Sequence, residues 1–223
     1  MAGRPDPSAP TAALEPWIAR HLHPLADYDP VRHRIGSDYD LNPHLNSGRL
    51  LEAELTPAAV LIALVEREEG LSVILTRRAD TLSRHSGQIA FPGGRAEPGE
   101  TPWETALREA HEEIALEPAL VRVAGLGDSY RTVTGFEIVP VVGFVRSDFT
   151  LQASEAEVAE IFETPFAFLM DPANHQQRSY EGPDGERRFY AMPYGERFIW
   201  GATAGMLRAL YERLFGAPVL QPT

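Results

Sequence analysis

The sequence predicts an α/β (α+β) fold, and three observations carry the prediction. Short apolar, β-branched runs are separated by turn signals. Two segments repeat apolar residues with helical spacing. The stretch that holds these elements is about 165 residues long, enough to bury one sizeable core. At 43% apolar and 23% charged residues over 223 positions, the composition is that of an ordinary globular chain.

Taken in order, Met1–Pro10 carries Pro5, Pro7 and Pro10 and reads as a flexible tail. Ala12–Leu22 places Leu14, Trp17, Ile18 and Leu22 at spacings of three to four, the pattern of a short amphipathic helix. Asp29–Ser47, rich in Asp, Pro, Gly, Asn and His, reads as a connector. Residues 1–54 are therefore expected to be an N-terminal extension and 55–223 the main domain. Within it, Pro57–Val65 and Leu71–Arg77 are strands around the turn Glu69–Gly70, and Val121–Gly127 and Phe136–Val145 are two more. Arg187–Met192 follows the turn signal Pro183-Asp184-Gly185 and predicts a hairpin. Ala202–Phe215 sets Met206, Leu207, Leu210, Tyr211 and Leu214 on one face of a closing helix.

Composition excludes whole classes of chemistry. The chain has no cysteine, so disulfides, thiolate zinc sites, iron–sulfur clusters and a cysteine nucleophile are ruled out. All 20 basic residues are arginine, which removes a Schiff-base lysine and the lysine of a Walker-type phosphate loop. A net charge of −12 argues against a nucleic-acid binder. An anionic ligand must be held by a few placed arginines, by backbone N–H groups or by cations. The longest apolar run, Ala58–Val65, is far shorter than the ~18 residues a membrane span needs. Met1–Pro10 lacks the apolar core of a secretory signal, and a cytoplasmic location is expected.

Gly99–Leu116 is the most informative stretch. Thr101-Pro102-Trp103-Glu104 is a capping box with proline at the first helical position. The helix it starts puts Trp103, Ala106, Leu107, Ala110 and Ile114 on one stripe, and Glu109, Glu112 and Glu113 on the arc beside it. Carboxylates at i,i+3 and i,i+4 repel. A solvated acidic face tolerates that, whereas a hard divalent cation turns it into coordination, with Mg²⁺ or Mn²⁺ the natural partners.

The residues before this helix add a pattern. Phe91-Pro92-Gly93-Gly94 is a tight turn; Gly94 is followed at fixed spacing by Glu100, Arg108-Glu109 and Glu112-Glu113. This run resembles the box of the Nudix hydrolases, with Ala115 where that family has a glycine near the helix end. The resemblance implies a Nudix-type α/β/α sandwich, a mixed sheet between helices. It also implies a loop–helix–loop that holds metal against a pyrophosphate. By position, Glu109, Glu112 and Glu113 would be metal ligands together with the carbonyl of Gly94. Glu100 would complete the metal shell or pair with Arg108 to brace the loop, and a structural role suits Arg108. Glu112 or Glu109 could act as general base; the family also draws its base from a later loop, where Glu157 and Glu160 are candidates.

Further runs narrow the resemblance to the coenzyme A pyrophosphatase branch: Ile74–Ala79, Gly87–Gly94, Tyr130–Gly135, Asp171–His175 and Ile199–Ala204. Ser83 stands where that branch carries a spacer arginine, with Arg84 adjacent. Arg78 and Arg84, with Gly87 and Phe91, are the substrate-binding candidates. The implied reaction is metal-dependent hydrolysis of coenzyme A or acyl-CoA to 3′,5′-ADP and 4′-phosphopantetheine or its acyl form. Another diphosphate such as ADP-ribose, and a nucleotide sensor without catalysis, are the alternatives. A small-molecule substrate, no nucleic acid and no membrane are the expected partners. The N-terminal extension is left two roles, cover for the site or contact in a homodimer. His85, His111 and the His21-x-His23 pair receive no role.

Overall fold

The computed structural model describes residues 3–29, 35–45, 55–80, 87–182 and 185–216. Helix α1 (Thr11–His21) and strand β1 (Ile35–Ser37) precede β2 (Thr56–Arg67), β3 (Gly70–Arg78), β4 (Ile89–Ala90) and β5 (Gly93–Arg95). Helix α2 (Pro102–Ile114) leads into β6 (Val121–Leu126), β7 (Ser129–Arg131), β8 (Phe136–Val145) and β9 (Val158–Pro165). A single-turn α3 (Phe166–Leu169), the strands β10 (Gln176–Gly182), β11 (Gly185–Tyr194) and β12 (Arg197–Trp200), and α4 (Ala202–Phe215) complete the order.

The main sheet runs β1-β7-β8-β2-β3-β4, with β5 on β2, β6 on β8 and β9 on β3. It is mixed. β2 and β8 pair in parallel from Thr56↔Phe136 to Val65↔Val145, and β1 pairs in parallel with β7, while the other pairs are antiparallel. Residues 58–65 of β2 are all buried, as expected for a strand covered on both faces. Ala59, Leu61, Ala63 and Val65 pack with Ala106, Ala110 and Ile114 of α2. Val60, Ile62 and Leu64 pack with Leu14 and Ile18 of α1 and with Met206, Leu207 and Leu210 of α4. Strand alternation thus divides one apolar run between two cores and yields the helix–sheet–helix sandwich. The strands β10–β11–β12 form a separate antiparallel sheet.

The predicted core elements are present at nearly the predicted boundaries, and the differences fall in short or polar segments. The tail residues 3–10 are held to the body: Arg4 donates to the Phe215 carbonyl (2.5 Å), and Ala9 packs on the core. Leu14 and Ile18 are fully buried, and the Trp17 indole donates to the Leu214 carbonyl at 3.0 Å. Past α1, His23 lies 3.2 Å from the buried Asp128, and Arg213 of α4 pairs with that carboxylate. The connector 29–47 contains β1, three residues whose pairing depends on β7 and leaves no periodic signature. The later loop that carries Glu157 leads directly into β9, where Val158, Phe162 and Thr164 are buried as the strand pairs with β3.

Ala115, which replaces the expected glycine, closes α2 in the left-handed conformation (φ 54°, ψ 31°). It is the only described non-glycine residue with positive φ. A Cβ in that region costs about 1 kcal/mol relative to glycine. Ala115→Gly is therefore expected to raise the unfolding free energy by about 0.5–1 kcal/mol, read from the denaturant midpoint at constant m-value.

Candidate active site

The site is built where α2 passes under the Gly93–Gly94 turn. Capping fixes the helix start: the Thr101 hydroxyl accepts from the Glu104 N–H, and the Glu104 side chain accepts from the Thr101 N–H at 2.8 Å. Gly93 (φ 155°) lies against β2, where an added Cβ would stand 2.4 Å from the Ala59 carbonyl oxygen. At Gly94 a Cβ would stand 2.6 Å from the carboxyl carbon of Glu109. Glycine at both positions lets turn, strand and helix close on one another.

Glu100 and Arg108 form the brace. Arg108 Nε donates to Glu100 Oε1 at 2.7 Å and Nη2 to Oε2 at 3.0 Å, a two-pronged pair. Nη2 also reaches the Arg95 carbonyl (3.1 Å), and the Thr105 hydroxyl donates to Glu100 at 2.8 Å. These bonds, the Arg108 pair foremost, hold the Glu100 carboxyl down to about 2. Glu100 thus ties the loop to the helix through Arg108.

The remaining carboxylates are crowded. Arg108 Nη1 bridges Glu109 (2.9 Å) and Glu112 (3.2 Å). Glu113 is almost fully buried, accepts from the Gly93 N–H at 3.2 Å, and lies 3.7 Å from Arg78 Nη1. Burial pushes its carboxyl up to about 7, with the charges of Glu109 and Glu157 adding to the shift. Burial also raises Glu109, against the pull of Arg108, with Glu112 and Glu157 pushing the same way. Glu157 arrives on the loop after β8, which is tied to the end of α2 by the bonds Gln152 N–H to Ile114 (3.0 Å) and Ser154 N–H to Glu113 (2.8 Å).

Among the described residues no three Asp, Glu or His side chains close around one point, because Arg108 sits between Glu109 and Glu112. The donor set nonetheless fits a hard divalent cation. Glu109, Glu112, Glu113 and Glu157 outnumber the two neighbouring guanidiniums, and neighbouring carboxylates add to both upward shifts, Glu112 and Glu157 at Glu109 and Glu109 and Glu157 at Glu113.

Beside the turn opens a cavity of about 790 Å³. Gly93, Gly94, Arg95, Phe91 and Arg78 form its box side, and Asp38, Tyr130, Arg187, Tyr190, Trp200 and Arg208 stand on its other walls. Arg78 Nε is buried without a hydrogen-bond partner. Asp38 accepts from the Tyr130 hydroxyl and the Val133 N–H, both at 2.9 Å, and pins residues 36–42 to the cavity rim. Burial raises the Asp38 carboxyl and the Tyr130 hydroxyl alike.

The structure thus brings Glu100, Arg108, Glu109, Glu112, Glu113, Gly94 and Arg78 together. Phe91 is a core residue on the cavity floor. Glu160 is not brought to the cluster: Arg197 holds it at 2.5 Å, and it lines a second cavity with Arg77 and Gly87. The bulge at Arg77/Arg78 separates it in register from Glu157, the later-loop carboxylate whose charge reaches Glu109 and Glu113. Arg84 lies outside the described residues, as do Ser83 and His85. Sequence reasoning did not single out Asp38, Arg95, Arg187 or Arg208, which lie in no motif.

Comparison with known proteins identifies the family. The NUDIX domain model matches residues 55–182. The chain is 36% identical over 181 residues to "Uncharacterized Nudix hydrolase NudL" of Enterobacter sp. (strain 638), covering 78% of this chain and 94% of that relative. The NudL of Yersinia enterocolitica is 39% identical over 158 residues, covering 70% and 80%. The solved Nudix hydrolase RenU of M. smegmatis aligns with a TM-score of 0.47 at 20% identity, over 74% of this chain and 90% of that one. The chain is a pyrophosphohydrolase of nucleoside diphosphate derivatives. It belongs to the Nudix family, whose members generally use divalent ions such as Mg²⁺ or Mn²⁺.

Two outcomes are expected, the first for the metal-free protein and the second for the protein assayed with its metal. Glu113 binds its proton more tightly folded than unfolded, so its contribution is full below about pH 4.5 and is lost as pH rises through about 7. Unfolding free energy should fall between pH 5 and 8 by on the order of 2 kcal/mol, and Glu113→Gln should flatten that fall in denaturant titrations. Gly94→Ala, whose methyl collides with Glu109, should leave the helix intact by circular dichroism yet cut activity at least 100-fold, as a misplaced site group does.

Proposed function

We propose that the chain hydrolyses the diphosphate of coenzyme A or acyl-CoA to 3′,5′-ADP and 4′-phosphopantetheine or its acyl form, in the cytoplasm. The observation that carries this reading is the single cavity in which the Gly93–Gly94 turn and Arg78 meet a wide, arginine-lined space. A diphosphate alone would not fill about 790 Å³, whereas a ligand with a bulky group on each phosphate would. The branch motifs around the box support the same substrate.

Glu109, Glu112 and Glu113, with the Gly94 carbonyl, would hold Mg²⁺ or Mn²⁺. The bound cation would neutralise phosphate charge and lower the pKa of a water. Arg108 would swing no further than its brace to Glu100 allows, keeping the helix end of the site fixed. Arg78 would place a phosphoryl oxygen beside the cluster, its unpartnered Nε supplying a donor. Glu157, exposed and coupled by charge to Glu109 and Glu113, would take the proton of the attacking water at its carboxylate, with Glu112 and Glu109 the alternatives on the helix. Glu160, bound to Arg197, is assigned no proton transfer.

Mass-spectrometric product analysis tests this reading. Purified protein with CoA, dephospho-CoA, ADP-ribose and NADH is expected to release 3′,5′-ADP from CoA preferentially, with Mg²⁺ or Mn²⁺ and not with chelator. Cleavage of ADP-ribose alone would replace the substrate, and cleavage of nothing would favour the sensor. Glu109→Gln should lower kcat/KM by at least 100-fold; full activity in that variant would remove the site.

A further inference from the structure

One face of the β10–β11–β12 sheet has an unusual composition. Directly paired residues of antiparallel strands project to the same side. The pairs Tyr180↔Arg187, Arg178↔Phe189, Ala191↔Trp200 and Pro193↔Phe198 therefore share one face. That face carries four aromatic rings and two arginines, and among the described residues no carboxylate, in a chain of net charge −12. Tyr180, Phe189 and Trp200 run diagonally across it, with ring centroids 6.0 Å and 5.3 Å apart. The Phe189–Trp200 contact is edge-on, so the ring that contributes its edge keeps its faces clear of its partner. Tyr180 and Phe198 are 48% and 40% exposed, too open for core residues. Tyr180, Arg187, Phe189 and Trp200 all line the cavity that reaches Gly93 and Gly94. Asp38, on the facing strap, is drawn by the charge of Arg187, which sets the guanidinium inside the cavity's field.

Rings that can stack, interleaved with guanidiniums on strands that bring no acid of their own to this face, suit a planar, anionic ligand. We propose that this face is the subsite for the nucleoside end of the substrate: Phe189 and Trp200 stack the base, and Arg187 holds a phosphate monoester on its ribose. The inference rests on the reading of the chain as a hydrolase of CoA-like diphosphates. It places recognition of the base and its extra phosphate largely outside the loop–helix–loop that performs the chemistry.

Calorimetry on the full chain in EDTA, with adenosine 3′,5′-bisphosphate, AMP and 4′-phosphopantetheine as probes, tests it apart from catalysis. The bisphosphate is expected to bind more tightly than AMP. Trp200→Ala should weaken both by about 10-fold, the usual effect of losing a base-stacking ring. Arg187→Gln should bring the bisphosphate down to the affinity of AMP and leave AMP unchanged. Trp200→Phe keeps a ring, so affinity should survive while ligand-induced quenching of tryptophan fluorescence disappears; that separates stacking from damage to the fold. In steady state, Trp200→Ala and Arg187→Gln should raise KM for CoA with kcat retained. Wild-type titrations in both variants, no binding of the bisphosphate to the wild type, or quenching that persists in Trp200→Phe would each overturn the subsite. Binding through Trp200 and Arg187 without CoA hydrolysis would keep the subsite and remove the substrate reading. Hydrolysis with KM unchanged in both variants would do the reverse.

Discussion

A contact between two backbones controls the site. Gly93 lies so close to β2 that any side chain would drive into the Ala59 carbonyl and Val60. Gly94 in turn leaves room only for the Glu109 carboxylate. Strand, turn and helix are therefore stacked at a spacing set by two missing side chains. The strand cannot yield, because residues 58–65 of β2 are buried on both faces and paired along their length with β8. Close packing of this kind converts the position of a sheet into the position of a carboxylate.

Electrostatics then divides the acidic residues of α2 and its preceding loop into two groups. Glu100 is satisfied by Arg108, Thr105 and the Glu97 N–H and stays ionised to low pH. Glu113 is buried and Glu109 half-buried, each with fewer partners than Glu100, and burial moves both carboxyls upward. A stable fold does not require the second arrangement, and buried carboxylates left against one another cost free energy at neutral pH. A divalent cation of the kind the family generally uses would offset that cost.

How much of this was legible in sequence depended on the range of the interaction. The box helix was legible because its cap, stripe and acidic arc are all local, and the capping box forms as read from Thr101 and Glu104. β8 and α4 were legible to their end residues because their apolar patterns are long. β1 and β5, three residues each, exist only through partners distant in sequence, and nothing local marks them. Charge alone could not separate Glu157 from Glu160. The difference is made by the tie of residues 152–154 to the end of α2 and by the bulge in β3 opposite. The burial of Glu113, on an arc that also carries the exposed Glu112, is likewise set by the Gly93 turn lying over it.

The family match ends at residue 182, yet the cavity does not. Residues 36–42 enter it from one end of the chain and β11, β12 and α4 from the other. Asn42 joins the two: its side chain accepts from the Arg188 N–H at 2.7 Å and donates to the Arg188 and Asp38 carbonyls at 2.8 Å. It occupies the edge of β11 that β12 leaves unpaired, satisfying backbone groups a free edge would expose. Asp38, four residues earlier, is fastened to Tyr130 in the main sheet. One strap thus ties the outer sheet to the inner one, with the cavity between them. The matched segment fixes the carboxylates and the box side of the cavity, and the flanking segments complete its other walls.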